Sequence, residues 1–402
     1  MKKVRCKAKQ LLGKIFWHLC VGLYRIGTGK WGKLKIQENK IIASSFGGRK
    51  FGDNPLYIFE ALRQINPNVD FVWVRHPKEH FATPSYIRTV NKHTLKYFYE
   101  YATAKVWIDN ELIHSYMQKK EGQYFMETWH GGIGFKRLYF GVKGYDENNG
   151  SYPRLKATTD LADVFLSNCN FFTDICRNGF RYRGEILQCG FPRNDAIANE
   201  ELRKHNAEAV RQSLGISNST SLLLYVPTFR DGTSDVKDKY DVDFTRLISA
   251  LEKRFGGEWK ILLRLHPWLQ NSPISEELCC NPKVINVTSY PDVQQLNAVC
   301  NACMTDYSST VFDALLQRIP CFIYANDFDE YQKVRGVYFT PKESPFPYSV
   351  NNDELERDVL SFDWDEYNKA LDAFILDKGL CEPGNASEQV ALRIASWMKQ
   401  LA

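Results

Sequence analysis

The sequence predicts an α/β protein of two doubly wound domains that face each other across a cleft. The chain has 402 residues, which is more than one hydrophobic core usually serves. Short β-rich runs alternate with segments of helical length along the whole chain, an order typical of parallel sheets built from βαβ units. Composition agrees, because 44% hydrophobic and 25% charged residues are values of a globular protein rather than of a disordered or multi-span membrane chain.

The first domain is predicted over residues 36–205. Each predicted strand is a short apolar run, and helical segments at 55–65 and 94–104 lie between the earlier strands. The predicted strands are residues 41–45, 71–74, 106–109, 124–128, 164–167 and 186–189.

The second domain is predicted over residues 206–402, after a polar stretch at 198–220 in which hydrophobic periodicity fades. Open α/β sheets bind ligands beyond the carboxyl ends of their strands, so residues that end strands in both halves are site candidates. The predicted strands are residues 222–226, 261–265, 284–287, 302–305 and 321–324, with helices at 244–255, 292–298 and 310–317.

Residues 1–35 differ from the rest of the chain in charge. The first 50 residues hold thirteen Lys or Arg and one acid, a net +12; since the whole chain carries +5, the remainder is acidic at −7. Leu11, Ile15, Leu19 and Leu23 recur at four-residue spacing, which predicts an amphipathic helix. It is too short and too charged to span a bilayer. We expect residues 1–30 to bind an anionic membrane surface, with packing on the enzyme's own surface as the alternative.

Several classes of function are excluded by composition and motifs. Basic charge confined to one end argues against nucleic-acid binding, and the chain has neither a P-loop nor a dinucleotide-binding glycine motif. The eleven cysteines do not have the regular spacing of a disulfide framework, which indicates reduced thiols in a cytosolic compartment. Cys300 and Cys303 have ligand-like spacing but no second pair, so we expect them in the core, and we expect neither a metal nor a cofactor.

The first candidate site is a histidine at a strand end. His130 follows the predicted strand at 124–128 and opens a glycine-rich turn, where backbone can approach a ligand closely. Lys136 and Arg137 follow within reach of an anion. The pattern suits a general base beside a phosphate, although a histidine at a strand end is more often structural.

His266 also ends an apolar strand, where it is followed by a proline. His76 has nearly the same local pattern at the end of the strand predicted at 71–74. Spacing alone does not choose between the two histidines, so both are candidates on local evidence.

A strand end, a hydroxyl-rich turn and a helix start follow one another from Thr305. This geometry offers free backbone N–H groups and the positive end of a helix dipole to a phosphate. Capping of the helix is the competing role for the same hydroxyls. The candidate residues are Asp306, Ser308, Ser309 and Thr310.

Two further strand-end segments each place an arginine beside a proline-containing turn. Arg230 and Arg193 are thereby presented rigidly, which suits a guanidinium that binds phosphate or carboxylate. A surface ion pair, for example between Arg193 and Asp195, is the alternative.

Six segments in order within residues 40–335 resemble the CDP-glycerol glycerophosphotransferase family, the teichoic acid polymerases and primases. The family pattern T-W-H-G-T-P-L-K-R is interrupted, because residues 132–135 read Gly-Ile-Gly-Phe where Thr-Pro-Leu is usual; this leaves the identity of donor and acceptor open. The six segments are Phe51-Gly52-Asp53-Asn54-Pro55, Thr128-Trp129-His130-Gly131, Gly190-Phe191-Pro192-Arg193-Asn194-Asp195, Tyr225-Val226-Pro227-Thr228-Phe229-Arg230, Arg264-Leu265-His266-Pro267 and Thr305-Asp306-Tyr307-Ser308-Ser309.

The resemblance implies a glycosyltransferase-B architecture of two Rossmann-like domains. It also implies an enzyme that transfers glycerol phosphate or ribitol phosphate from CDP-glycerol or CDP-ribitol to a lipid-linked precursor of a cell-surface polymer, at the cytoplasmic face of the membrane. The alternative is a glycosyltransferase of the same architecture with a nucleotide-sugar donor. Glycerol or ribitol, primase or polymerase, and teichoic acid or capsule all stay open.

The same resemblance implies roles for particular residues. His130 is the expected base, and His266 is expected to assist at the donor phosphates, which separates it from His76. The expected donor-phosphate contacts are Asp306, Ser308, Ser309, Thr310 and Arg230, and the candidate acceptor or phosphate contacts are Lys136, Arg137 and Arg193.

Overall fold

A computed structural model describes residues 21–22, 33–228, 240–266, 269 and 273–399. Arg230 and nearly all of the predicted N-terminal helix lie outside these residues, so membrane binding by residues 1–30 stays a prediction. Val21 is helical and packs in an apolar cluster with Ile42 and Val72 of the first sheet. Among the described residues, no helix has the length and apolar character needed to cross a membrane.

The first sheet consists of seven strands, all paired in parallel. The strands are β1 Gln37–Ser44, β2 Asp70–Arg75, β3 Ile87–Asn91, β4 Ala104–Asp109, β5 Tyr124–Glu127, β6 Val164–Ser167 and β7 Glu185–Gln188. Their order is β3-β2-β1-β4-β5-β6-β7. The helices of this part are α1 Asp53–Ile65, α2 Leu95–Thr103, α3 Tyr152–Leu161, α4 Asn170–Asn178, α5 Asp195–Ala198 and α6 Glu200–Leu214.

The second sheet has six strands, again all paired in parallel. The strands are β8 Thr220–Val226, β9 Glu258–Leu263, β10 Val284–Asn286, β11 Ala302–Thr305, β12 Cys321–Tyr324 and β13 Tyr348–Ser349, in the order β10-β9-β8-β11-β12-β13. The helices are α7 Phe244–Phe255, α8 Pro273–Leu278, α9 Val293–Val299, α10 Thr310–Ala314, α11 Phe328–Arg335, α12 Asn352–Leu360, α13 Trp364–Lys378 and α14 Ala386–Lys399.

The predicted fold class, α/β with two parallel sheets, is confirmed by this topology. Strands that are buried on both faces have continuous apolar runs in their sequence. In β4, for example, every residue is buried. The prediction missed β3 and β13, which lie at sheet edges. In β3 only Ile87 and Val90 are buried and the other three residues are polar, and β13 is only two residues long, so neither gives an apolar run.

The C-terminal helix returns to the first sheet. The Trp397 ring of α14 stacks on Tyr124 of β5, with 4.8 Å between centroids and an interplanar angle of 2°. The carboxylate of Asp195 accepts hydrogen bonds from the N–H groups of Ala386 at 2.9 Å and Ser387 at 2.7 Å. The prediction that residues 206–402 form one second domain stays a prediction. Within this range, α14 packs on the first sheet.

Candidate active site

His130 leaves the first sheet through a strained turn. β5 ends at Glu127, and Trp129 adopts a left-handed φ of 52°, which costs a non-glycine residue of the order of 1–3 kcal/mol. The Trp129 N–H donates to Glu127 Oε1 at 2.8 Å, and the Asn54 amide donates to the Trp129 carbonyl at 3.0 Å. Burial raises the pKa of Glu127 well above its ordinary value. These contacts fix the direction in which the chain enters His130.

The imidazole of His130 is oriented by ring contacts and by one backbone carbonyl. It stacks on Trp129 with 4.4 Å between centroids and contacts the Phe46 ring at 5.3 Å. Its Nδ1 lies 2.6 Å from the Asn110 carbonyl oxygen. Since a carbonyl can only accept, Nδ1 carries the proton and Nε2 keeps its lone pair. Burial lowers the pKa of His130, which favours this neutral form.

Close contacts explain the glycines that follow His130. A Cβ on Gly132 would lie 2.0 Å from Asn168 Oδ1, and a Cβ on Gly131 would lie 3.4 Å from Ser309 Oγ. The first distance leaves no room for a side chain, since interiors are close-packed. The distance at Gly131 shows that the glycine turn after β5 lies against the hydroxyl turn after β11.

His130 and two of the candidate hydroxyls line the same cavity. It has a volume of about 260 Å³ and is bordered by residues of both sheets. His130 and the glycine turn come from the end of β5, whereas Ser308 and Ser309 come from the end of β11. The lining residues are Trp129, His130, Gly131, Gly132, Ile133, Gly134, Phe135, Lys136, Leu138, Ile175, Thr228, Tyr307, Ser308, Ser309 and Tyr331.

Asp306 and Thr310 organise the hydroxyl turn and do not line this cavity. The buried Asp306 carboxylate accepts from the Thr228 N–H at 2.9 Å and also from the Tyr307 N–H. Thr310 Oγ1 lies 3.0 Å from Ser308 Oγ. Asp306 is therefore placed to join the ends of β8 and β11, and its expected direct contact with a donor phosphate is not supported by this placement.

Arg193 is a buried link between the two halves of the chain. Its guanidinium donates to Asp53 Oδ2 at 3.1 Å, to Asp313 Oδ2 at 2.8 Å and to the His130 carbonyl at 2.7 Å. The arginine and both carboxylate side chains are less than one-tenth exposed. The expected phosphate contact by Arg193 is not supported either, because these nitrogens are bound to carboxylates and backbone.

Arg137 and Lys136 differ in their relation to the cavity. Arg137 Nε donates to the Val337 carbonyl at 2.8 Å, and its guanidinium lies over the Tyr338 ring at 5.1 Å. Arg137 thus ties the glycine turn to the segment after α11. Lys136 is exposed and lines the cavity, so it keeps the position expected of an anion contact.

Residues 28–396 match the model of a protein family described as CDP-Glycerol:Poly(glycerophosphate) glycerophosphotransferase. The chain belongs to this family. The resemblance seen in the six sequence segments is thereby confirmed.

Relatives of this glycerophosphotransferase-family chain act in teichoic acid synthesis. It is 29% identical to a teichoic acid poly(glycerol phosphate) polymerase of Staphylococcus epidermidis over 88% of the chain, but spans only 50% of that protein. It is 28% identical to a teichoic acid glycerol-phosphate transferase of Staphylococcus aureus, covering 89% of the chain and 93% of the relative. The solved structure of a histidine-to-alanine variant of the wall teichoic acid polymerase TagF superposes with a TM-score of 0.82 at 27% identity, covering 99% of this chain and 98% of that structure.

His266, which is expected at the donor side of this family member, is not among the residues that line the cavity. His266 follows β9 and is partly buried. In the sheet order, β8 lies between β9 and β11, and neighbouring strands are about 4.8 Å apart. His266 therefore follows a strand near the hydroxyl turn, whereas His76 follows β2 in the first sheet. The donor role of His266 stays a prediction, and Arg230 lies outside the described residues.

Several residues of the site were not predicted. Asn110 binds His130 through its backbone carbonyl, and Thr228 and Tyr331 line the cavity. Asn110 and Thr228 each follow the end of a strand that the sequence did predict, so strand-end position was the available signal. Tyr331 lies on α11 and carried no such signal.

Proposed function

We propose that the protein transfers glycerol phosphate or ribitol phosphate from a CDP-alditol to a hydroxyl of a lipid-linked polymer precursor. The observation that carries this proposal is the shared cavity of His130, Ser308 and Ser309. Family membership supports a CDP-linked donor. A second observation supports the same donor: a TagF variant whose structure was solved with CDPG superposes on this chain with a TM-score of 0.82 at 26% identity.

The proposed reaction is an in-line displacement at the β-phosphorus. Nε2 of His130 accepts the proton of the acceptor hydroxyl, whose oxygen forms a bond to the β-phosphorus. The bond from this phosphorus to the bridging oxygen breaks, and CMP leaves with the electron pair. In such reactions the protein mainly positions the groups and stabilises charge on phosphate oxygens. The hydroxyls of Ser308 and Ser309 are the groups that supply hydrogen bonds to those oxygens.

The decisive experiment is a nucleotide-release assay that detects CMP from CDP-glycerol or CDP-ribitol and UDP from UDP-sugars, with each donor paired with an acceptor. CMP release with a CDP-alditol, lost in His130→Ala, is the expected result. The UDP-sugar arm tests the rival glycosyltransferase activity. Transfer from a UDP-sugar without any transfer from a CDP-alditol would replace this proposal.

We propose that the protein binds the cytoplasmic face of the membrane, because its first 50 residues carry a net charge of +12. Such a segment is attracted to anionic lipid. Deletion of residues 1–30 should lower activity on a membrane-bound acceptor more than on a soluble analogue. Equal loss on both acceptors would contradict this location.

A further inference from the structure

Asn168 packs against the glycine turn that carries His130. It follows β6 and is 4% exposed. Its side-chain oxygen Oδ1 is the atom that a Cβ on Gly132 would meet at 2.0 Å, and Gly132 lines the same cavity as His130. Asn168 is not among the lining residues of that cavity. It therefore supports the wall of the cavity from behind.

The segment between α13 and α14 holds Asn168 in this orientation. Asn168 Nδ2 donates to Glu382 Oε1 at 2.8 Å, and the Asn168 carbonyl accepts from the Cys381 N–H at 2.7 Å. The Asn168 Oδ1 atom is buried and has no hydrogen-bond partner among the described residues. A buried oxygen without a partner is unfavourable, so the contacts with Glu382 and Cys381 are what keep it against Gly132.

Glu382 also holds the segment that contacts the backbone of His130. Its Oε2 accepts from the Phe191 N–H at 3.0 Å, and its Oε1 accepts from Asn194 Nδ2 at 2.6 Å. These two residues lie on either side of Arg193, which donates to the His130 carbonyl at 2.7 Å. Glu382 therefore reaches the backbone of His130 by a second route.

The backbone at Gly190 makes room for the Glu382 carboxylate. Gly190 has a left-handed φ of 91°, and a Cβ there would lie 2.6 Å from Glu382 Oε2 and 3.2 Å from Pro383 Cδ. Glycine allows both this conformation and the close approach. Gly190 and Gly132 thus lie at the two ends of the chain of contacts that runs from the carboxylate to the glycine turn. Close-packed contacts of this kind transmit small displacements.

We propose that Asn168 and Glu382 are positioning residues for the transfer reaction, because together they fix the glycine turn and the backbone of His130 and so keep its imidazole at the cavity. Neither residue lines the cavity, so their effect on a bound substrate passes through Gly132 and Arg193. Donor binding should then depend little on them, whereas the transfer rate should depend on them strongly, since a displaced catalytic group is costly in rate. The inference rests on the proposed function and adds to it the residues that place its base.

The first test measures kcat and the donor KM separately, with CDP-glycerol or CDP-ribitol as donor. Asn168→Ala should lower kcat about tenfold or more and leave the donor KM nearly unchanged. Gly132→Ala alone places a methyl group against the Asn168 amide, whereas in the double variant Gly132→Ala/Asn168→Ala that methyl group enters the space that the amide vacates. The double variant should therefore have a higher kcat than Gly132→Ala. A role in folding alone would lower the unfolding temperature without this split between kcat and KM.

The second test changes the carboxylate. Glu382→Met removes both acceptor oxygens and should lower kcat about tenfold or more, whereas Glu382→Gln keeps one acceptor oxygen and should retain more of the wild-type rate. Combined with Asn168→Ala, Glu382→Met should lower kcat by less than the product of the two single effects, because residues in contact couple. Glu388→Gln is the matched control, because Glu388 is exposed in the first turn of α14; it should have wild-type kinetics.

All rates are measured at a temperature at which circular dichroism shows each variant to be folded. Wild-type kcat in both Asn168→Ala and Glu382→Met would overturn the inference, as would a loss confined to the donor KM, which would place these residues at the donor. A double variant no more active than Gly132→Ala would also contradict it. A wild-type protein that releases no CMP from any CDP-alditol would instead refute the proposed function, and the positioning role with it.

Discussion

The Nδ1 of His130 lies 2.6 Å from the backbone carbonyl oxygen of Asn110, which leaves Nε2 as the nitrogen able to accept a proton. General-base assistance is typically worth about 10²–10⁴-fold in rate. We therefore expect His130→Ala to lower kcat by about that factor in the CMP-release assay. His205→Ala is the control, because His205 is exposed on α6. Equal activity of both variants would remove His130 from the mechanism.

The pH dependence of the reaction should report the burial of His130. Burial lowers its pKa below the ordinary value of about 6.5, so the neutral base persists as the pH falls through 6.5. At still lower pH the imidazole takes up a proton, and kcat/KM should fall. The measurement is a kcat/KM profile, with folding checked by circular dichroism at each pH. An acidic limb centred above pH 6.5 would contradict the assignment of that limb to His130.

Gly132 should not tolerate a side chain. Its Cβ would lie 2.0 Å from Asn168 Oδ1, whereas a Cβ on Gly150 would meet nothing within 4 Å. We expect Gly132→Ala to shift the turn that carries His130 and to lower kcat at least about tenfold, since small displacements of catalytic groups are costly. Gly150→Ala should behave as wild type. Wild-type kinetics in Gly132→Ala would mean that Asn168 can move aside freely.

The sequence predicted most strands and the position of the site because both depend on local patterns. Apolar runs marked the buried strands, and the residues that end β5 and β11 were predicted to converge. His130, Ser308 and Ser309 do line one cavity. β3 was missed because its pattern mixes buried and exposed positions, as edge strands often do.

The contacts of Arg193 show what local patterns do not contain. Its carboxylate partners, Asp53 and Asp313, are 140 and 120 residues away along the chain. The proline-containing turn indicated a rigid arginine, but the identity of its anion depends on how the two halves pack. The Asn110 carbonyl that orients His130 is a backbone group, so no residue type could have marked it.

Loss of the Arg193 charge should destabilise the protein strongly. Arg193→Met would leave Asp53 and Asp313 buried without their partner, and removing one member of a buried ion pair typically costs about 3–5 kcal/mol. Arg318→Met is the matched control, because Arg318 and its partner Asp372 are 49% and 62% exposed and such pairs contribute about 0–1 kcal/mol. The measurement is the free energy of unfolding in urea. Similar losses for both variants would mean that the buried carboxylates find water or a proton in place of Arg193.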